Sequence, residues 1–186
     1  MMKYAEVFRK IKRRDFLPDN MKELANLDTA LSIGYGQTIS QPSVVVFMIE
    51  KLEPKPGNKI LDIGSGSGWT SALLAEIVGT ADRQGKVIAL EIVPELKEFG
   101  EKNADKYGFI KEGRLAFILA DGSKGYPKEA PFDRILCSAA VKSEIPEAWR
   151  EQLRIGGKIV TPIGSSIWVF TKKSEKEFEE IEYLGF

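Results

Sequence analysis

The sequence predicts an α/β fold, with a mostly parallel central sheet, flanking helices and a C-terminal antiparallel pair. Three observations carry this reading. Short apolar runs alternate with segments of helical periodicity through most of the chain. One of these runs, residues 59–63, passes directly into a glycine-rich turn, Gly64-Ser65-Gly66-Ser67-Gly68. The next, Val87-Ile88-Ala89-Leu90, ends on Glu91, about 23 residues beyond the last glycine. Strand, glycine turn, helix, strand and acid in that order is how an open α/β sheet presents backbone to a nucleotide-like ligand.

Each element has its own local signal. Residues 4–14 read as a short amphipathic helix, with Arg9, Lys10, Lys12, Arg13 and Arg14 on a solvated face. Residues 15–32 read as irregular, with Pro18-Asp19-Asn20 as a turn. A helix is predicted over 42–52, where Pro42 suits the first turn and Pro54, Pro56 and Gly57 close it. The strand at 59–63 leads through the glycine turn to a helix over 71–78, then a polar loop over 79–85 and the second strand, 87–91. Pro94 opens a helix to about residue 107. Residues 115–119 form a third strand that ends at Asp121-Gly122, and 133–138 a fourth. Pro146 opens a helix to about 153, and Gly156-Gly157 turns into a fifth strand over 158–162. Residues 167–171 and 179–184 make the final antiparallel pair. No repeat, low-complexity tract or linker interrupts the 186 residues, so one domain with one sizeable core is expected.

Composition excludes several classes of function. Lys and Arg number 27 and Asp and Glu number 27, so no net field draws the chain to nucleic acid or a membrane surface. A single cysteine rules out a disulfide framework and fits a reducing compartment. No apolar run is long enough to span a bilayer, and no signal-peptide core opens the chain. The expectation is a soluble, cytoplasmic monomer without nucleic-acid or membrane partners. The chain has no histidine. Ordinary zinc sites, Ser-His-Asp and Cys-His nucleophiles and imidazole bases are therefore excluded, and no metal is expected.

The glycine turn is open to a narrower reading. A dinucleotide fingerprint needs a small residue where this chain has Trp69. No Lys-Ser/Thr pair follows, as a phosphate-cradling loop would require. What remains, Asp62 followed by G-x-G-x-G, resembles motif I of S-adenosylmethionine-dependent methyltransferases. Glu91 stands at the distance of a carboxylate that receives ribose hydroxyls. Right-handed crossovers put the ligand crevice at the carboxyl ends of the strands. Gly64, Glu91 and Asp121-Gly122 all fall at such ends. The candidate cofactor-binding residues are accordingly Asp62, Gly64, Ser65, Gly66, Ser67, Glu91, Ile92, Asp121 and Gly122, with Asp121 toward the adenine amino group and backbone near Gly64 toward the amino-acid part.

Other segments resemble one family. Ile33-Gly34-Tyr35-Gly36-Gln37-Thr38-Ile39-Ser40-Gln41-Pro42 is similar to the I-G-x-G-Q-T-I-S-x-P signature of protein-L-isoaspartate O-methyltransferases. Ala130-Pro131-Phe132-Asp133-Arg134-Ile135 resembles that family's A-P-F-D-R-I segment, and Gln152-Leu153, Gly156-Gly157 and Pro162-Ile163-Gly164 resemble its Q-L-x-x-G-G-x-x-x-x-P-x-G stretch. The resemblance spans residues 27–164. It divides the domain into a shortened N-terminal region, 1–32, and a catalytic core, 33–186. It implies a Rossmann-like methyltransferase that uses S-adenosylmethionine, releases S-adenosylhomocysteine and esterifies L-isoaspartyl carboxylates in damaged proteins or peptides. The ester activates return through a succinimide.

The resemblance also implies roles for the signature. Ser40 matches the family's active-site serine and would hold the substrate carboxylate. Gln37, Thr38 and Ile39 match a strip that covers the cofactor, or else form a plain buried connector. A serine just ahead of a helix is also an ordinary N-cap, and the two roles are compatible, because helix N-termini attract carboxylates. The reaction suits a chain without histidine, since an isoaspartyl carboxylate is already ionised at neutral pH and needs no base. A related methyltransferase with another acceptor, and a non-catalytic binding module, remain open at this point.

Overall fold

A computed structural model describes residues 4–79 and 85–186. The elements run α1 (Ala5–Lys10), β1 (Leu31–Gly34), β2 (Gln37–Ile39), α2 (Pro42–Leu52), β3 (Lys59–Ile63), α3 (Trp69–Val78), β4 (Lys86–Glu91), α4 (Pro94–Asp105), β5 (Leu115–Leu119), β6 (Phe132–Cys137), α5 (Glu147–Gln152), β7 (Leu153–Ile163), β8 (Ser166–Lys172) and β9 (Phe178–Leu184). The polar loop expected over 79–85 lies, for residues 80–84, outside the described residues.

Seven strands form one sheet in the order β5-β4-β3-β6-β7-β8-β9. The first four pairings in that order are parallel, and β7-β8 and β8-β9 are antiparallel. The expected fold class is the observed one. The strand order reverses between β3 and β6, so the switch point lies there, beside the glycine turn.

Side-chain alternation divides the core in two. Ile60, Val87, Ala89, Leu136 and Val160 face a cluster with α2, α3, α4 and the N-terminal segment. Leu61, Ile63, Ile88, Leu90, Ile135 and Ile159 face a second cluster with Trp149 of α5. Strands buried on both faces explain why they read as continuous apolar runs. Helix α2 buries Val45, Met48, Ile49 and Leu52, the i, i+3, i+4, i+7 stripe. Glu53 ends it in the left-handed conformation at φ 52°, ahead of Pro54.

Several expectations need correction. The first helix ends at Lys10, not residue 14, and Arg13–Phe16 is a 3₁₀ turn. Arg13 is not solvated but buried, at 6% exposure. Its guanidinium donates to four backbone carbonyls, of Ala25, Leu27, Thr29 and Ser40. Gly156-Gly157 does not begin a strand, because β7 runs through it from Leu153. The pairing with β6 skips there, with Phe132 opposite Leu153 and Arg134 opposite Lys158, and Gly156 at φ 78° takes up the irregularity. Residues 31 and 32, expected as irregular chain, and 37–39, for which a plain connector is one reading, belong to a β1-β2 hairpin, with Leu31 opposite Ile39 and Ser32 opposite Thr38. Its tip has three successive left-handed residues, Gly34, Tyr35 and Gly36, at φ 90°, 54° and 70°.

Candidate functional site

The carboxyl ends of β3, β4, β5 and β6 and the hairpin enclose a cavity of about 460 Å³. That volume lies within the range of small-molecule sites. Of the residues singled out from sequence, Gln37, Thr38, Ile39, Ser40, Gly64, Ser65, Gly66, Ser67, Glu91, Ile92, Asp121 and Gly122 all line it. Asp62 does not; it is fully buried in β3 beneath the turn.

The glycine turn is held from three sides. Gly64 N–H and Ser65 N–H both donate to Leu90 O, at 2.9 and 3.0 Å. Gly66 N–H donates to Glu91 Oε2 at 2.8 Å. On the third side the turn rests on α4, where a Cβ at Gly100 would meet Gly66 O at 2.7 Å and one at Gly68 would meet Gly100 O at 2.7 Å. Trp69 itself is buried, and its Nε1–H donates to Ile11 O at 3.3 Å, which ties α3 to the N-terminal segment.

Glu91 is 6% exposed. Besides Gly66, it accepts from Ile92 N–H at 2.8 Å and Val93 N–H at 3.0 Å through Oε1. Backbone donors thus fix the carboxylate before any ligand is present. Ile92, 65% exposed, follows it and offers an apolar face to the cavity. Asp62 accepts one bond, from Ser71 Oγ at 2.5 Å. Its Oδ1 and the Ser65 hydroxyl are buried without a hydrogen-bond partner among the described residues. Burial pushes the Asp62 carboxyl up to about 7, against the pull of the Ser71 bond and with a push from Glu91. Asp121 accepts from Ser123 Oγ and N–H, at 2.8 and 3.0 Å, which hold its carboxyl below the usual range. Gly122 passes so close over β3 that a Cβ there would overlap Ile63 Cγ2.

Ser40 is half-buried at the end of the hairpin. It is not the helix cap. Gln41 holds the N-cap position of α2 and makes no side-chain cap bond. The orphan Ser43 N–H donates instead to Asp28 Oδ1, at 2.8 Å, and Gln41 Nε2 reaches Asp28 Oδ2 at 3.2 Å. These bonds, the Ser43 amide first, hold the Asp28 carboxyl below its ordinary value. The Ser40 hydroxyl makes no hydrogen bond among the described residues, so it remains available to a ligand.

The lining includes no Lys or Arg among the described residues. Its ionisable groups are Glu91, Asp121 and Cys137. Burial pushes the Cys137 thiol up to about 12, which leaves it protonated and inert. No cluster of metal-ligating side chains occurs among the described residues.

The family model for protein-L-isoaspartate(D-aspartate) O-methyltransferase matches residues 2–184. The chain belongs to this family. The protein-L-isoaspartate O-methyltransferase of Staphylothermus marinus is 45% identical over 176 residues, which is 94% of this chain and 76% of the relative. That of Methanopyrus kandleri is 40% identical over 185 residues, 97% of this chain and 79% of the relative. Among solved structures, a Plasmodium falciparum protein described as a protein-L-isoaspartate O-methyltransferase, in complex with S-adenosyl-L-homocysteine, superposes with a TM-score of 0.87 at 25% identity, over 98% of this chain and 87% of that one.

In this member of the protein-L-isoaspartate O-methyltransferase family, sequence reasoning missed part of the cavity wall. Ser138, Ala139, Ala140 and Val141 line it after β6. The strand-end rule that selected Glu91 and Asp121 would have selected them too, because Ser138 N–H pairs with Ile63 O across the switch point. Ala139 lies so close that a Cβ at Gly64 would meet its Cβ at 2.9 Å. Arg13 and Asp28, which hold the chain on either side of Ser40, carried no local signal at all.

Proposed function

We propose that this chain transfers the methyl group of S-adenosylmethionine to the free carboxylate of L-isoaspartyl residues in damaged proteins and peptides, with Ser40 orienting that carboxylate. One observation carries the reading. The donor turn and an unpartnered Ser40 hydroxyl line the same cavity, whose described lining includes no Lys or Arg. The cavity fits the cofactor by its volume, by its glycine-shaped floor and by the orphaned Ser65 Oγ on its lining. Glu91 would receive the ribose hydroxyls, Ile92 the adenine face and Asp121 the adenine amino group. The turn from Gly64 to Ser67 would face the amino-acid part, and Gln37, Thr38 and Ile39 would cover it.

When bound there, S-adenosylmethionine supplies a methyl group on a positively charged sulfur. The chain's own contribution is placement. The Ser40 hydroxyl donates a hydrogen bond to one oxygen of the isoaspartyl carboxylate and leaves the other to attack. No base is required, because the carboxylate arrives ionised. Alignment of nucleophile and methyl can supply up to about 7–11 kcal/mol of the barrier. A hydrogen bond to a charged group contributes about 1.5–3 kcal/mol, so Ser40→Ala should slow transfer roughly 10- to 150-fold. Cofactor affinity and Tm should hold, since Asp28 supplies the cap. The decisive assay is methyl transfer to an L-isoaspartyl peptide beside the matching aspartyl peptide. Tight cofactor binding with no transfer to the isoaspartyl peptide would refute the acceptor.

The same reading makes the protein a cytoplasmic monomer, acting on flexible protein segments and not on nucleic acid or membranes. Balanced charge and a buried cysteine support it, and no helix among the described residues is long and apolar enough to cross a membrane. It also takes residues 1–186 as one methyltransferase domain. The packing of Tyr4, Ile11, Phe16 and Leu17 into the same cluster as Leu73 and Val87 supports that.

A further inference from the structure

We infer that Arg13 is a positioning residue for Ser40, acting with Asp28 as a two-point clamp on the chain that carries the serine. The inference rests on the acceptor role proposed for Ser40. Arg13 lines no part of the cavity and touches neither ligand site. It lies behind the wall, with Nη2 donating to Ser40 O at 3.1 Å and to Thr29 O at 2.7 Å. Its Nη1 donates to Ala25 O at 3.2 Å and Leu27 O at 3.1 Å. One rigid, planar group therefore fixes the Ser40 carbonyl relative to the loop 25–29, and a fork of five donors suits that task better than a lysine point charge.

The loop is then returned to the same segment from the other side. Asp28, between Leu27 and Thr29, accepts from Ser43 N–H and Gln41 Nε2. The Ser40–Ser43 stretch is thus gripped at its start by Arg13 and at its end by a residue of the loop that Arg13 holds. The guanidinium also sits 5.6 Å from the centroid of Trp69, the residue that follows the glycine turn and lines the cavity. Arg13 consequently sets the acceptor serine against the donor turn. A group this buried, spent on four carbonyls and an indole, costs desolvation that surface lysines avoid. What it fixes is a distance: a misplacement of about 1 Å can cost roughly 100-fold in rate.

The test is a double-mutant cycle on the full chain with an L-isoaspartyl peptide. Arg13→Lys should lower kcat by about 10-fold or more, with KM for the peptide and affinity for S-adenosylhomocysteine changed by less than about threefold. In the Ser40→Ala background the same substitution should slow the reaction by less than about twofold, because a residue acting through Ser40 has nothing left to position. Asp28→Ala, on an exposed side chain, should show the same pattern in milder form and keeps the test available if Arg13→Lys fails to fold. Amide exchange provides a readout free of turnover: Ser43 and Val45 should exchange at least about tenfold faster in either variant, with the amides of β3 and β4 unchanged. Equal rate losses in both serine backgrounds, or unchanged exchange at Ser43, would overturn the inference. Wild-type protein that binds S-adenosylhomocysteine but leaves the isoaspartyl peptide unmethylated would refute the acceptor role instead, and exchange at Ser43 alone would then decide whether Arg13 clamps this segment.

Discussion

Glu91→Gln removes one charge and almost no volume, and the structure says what should follow. The carboxylate has three backbone donors, two on Oε1 and one on Oε2. An amide has a single acceptor oxygen. If that oxygen takes the Oε1 position, Ile92 and Val93 keep their partner, and the NH₂ group faces Gly66 N–H, donor against donor. The reverse orientation strands two donors in place of one. Either way a backbone donor is stranded, Gly66 in the first orientation and Ile92 and Val93 in the second, and the ribose acceptor loses its charge. A hydrogen bond to a charged group is worth about 1.5–3 kcal/mol. Losing one such bond in the folded protein should lower Tm by about 3–12 °C, at roughly 2–4 °C per kcal/mol for a chain of this size. Losing the charge-assisted ribose contact should weaken S-adenosylhomocysteine binding by about 10- to 150-fold. Glu91→Ala should cost at least as much in both. Titration calorimetry gives the affinity and scanning calorimetry the Tm. An unchanged affinity would sink the ribose assignment, and an unchanged Tm would sink the staple.

Other perturbations test other parts of the site. Asp62 has its folded pKa raised to about 7 from 3.8, so the folded state keeps a proton that the unfolded chain has lost. Folding stability contributed by this group is therefore full below about pH 4 and is lost as pH rises to about 7, by on the order of 4 kcal/mol. Asp62→Asn should gain on wild type across that window in urea titrations, and parallel pH profiles for the two proteins would refute the shift. Gly100→Ala should drive a methyl group into Gly66 O, costing about 1–3 kcal/mol of stability and roughly tenfold in S-adenosylhomocysteine affinity. Unaltered affinity in that variant would show that the turn does not rest on α4. Methyl transfer should survive EDTA; turnover lost in chelator and restored by a divalent ion would show a carboxylate-bound metal.

Much of this architecture was legible because its signals are local. Strands β3, β4 and β6, buried on both faces, read as short apolar runs, and Pro42 and Pro94 mark helix starts that the structure keeps. The donor side was legible for the same reason, since a strand end followed by glycines or an acid is a contiguous pattern. The rest depends on contacts between distant residues. The β1-β2 strands are too short, four and three residues, to show alternation, and between two glycines their turn needs a left-handed tyrosine that no propensity foretells. Arg13 is one of five basic residues in six positions, and only tertiary structure decides which of them is swallowed. The cap of α2 comes from Asp28, 15 residues before the amide it satisfies, whereas the local pattern pointed to Ser40.

The cation-free wall has a consequence for turnover. In the reaction proposed here, two opposite charges enter the crevice and none leaves on the reacting groups: the acceptor becomes a neutral ester and the sulfur a neutral thioether. A lysine or arginine in the wall would have held the acid by its charge and slowed its attack. The charged groups of the described lining, Glu91 and Asp121, repel an acid, so the crevice attracts it through the sulfonium already inside. That attraction vanishes in the act of transfer. The protein is thus spared a separate device for expelling its product, because the methylated peptide no longer carries the charge that brought it in.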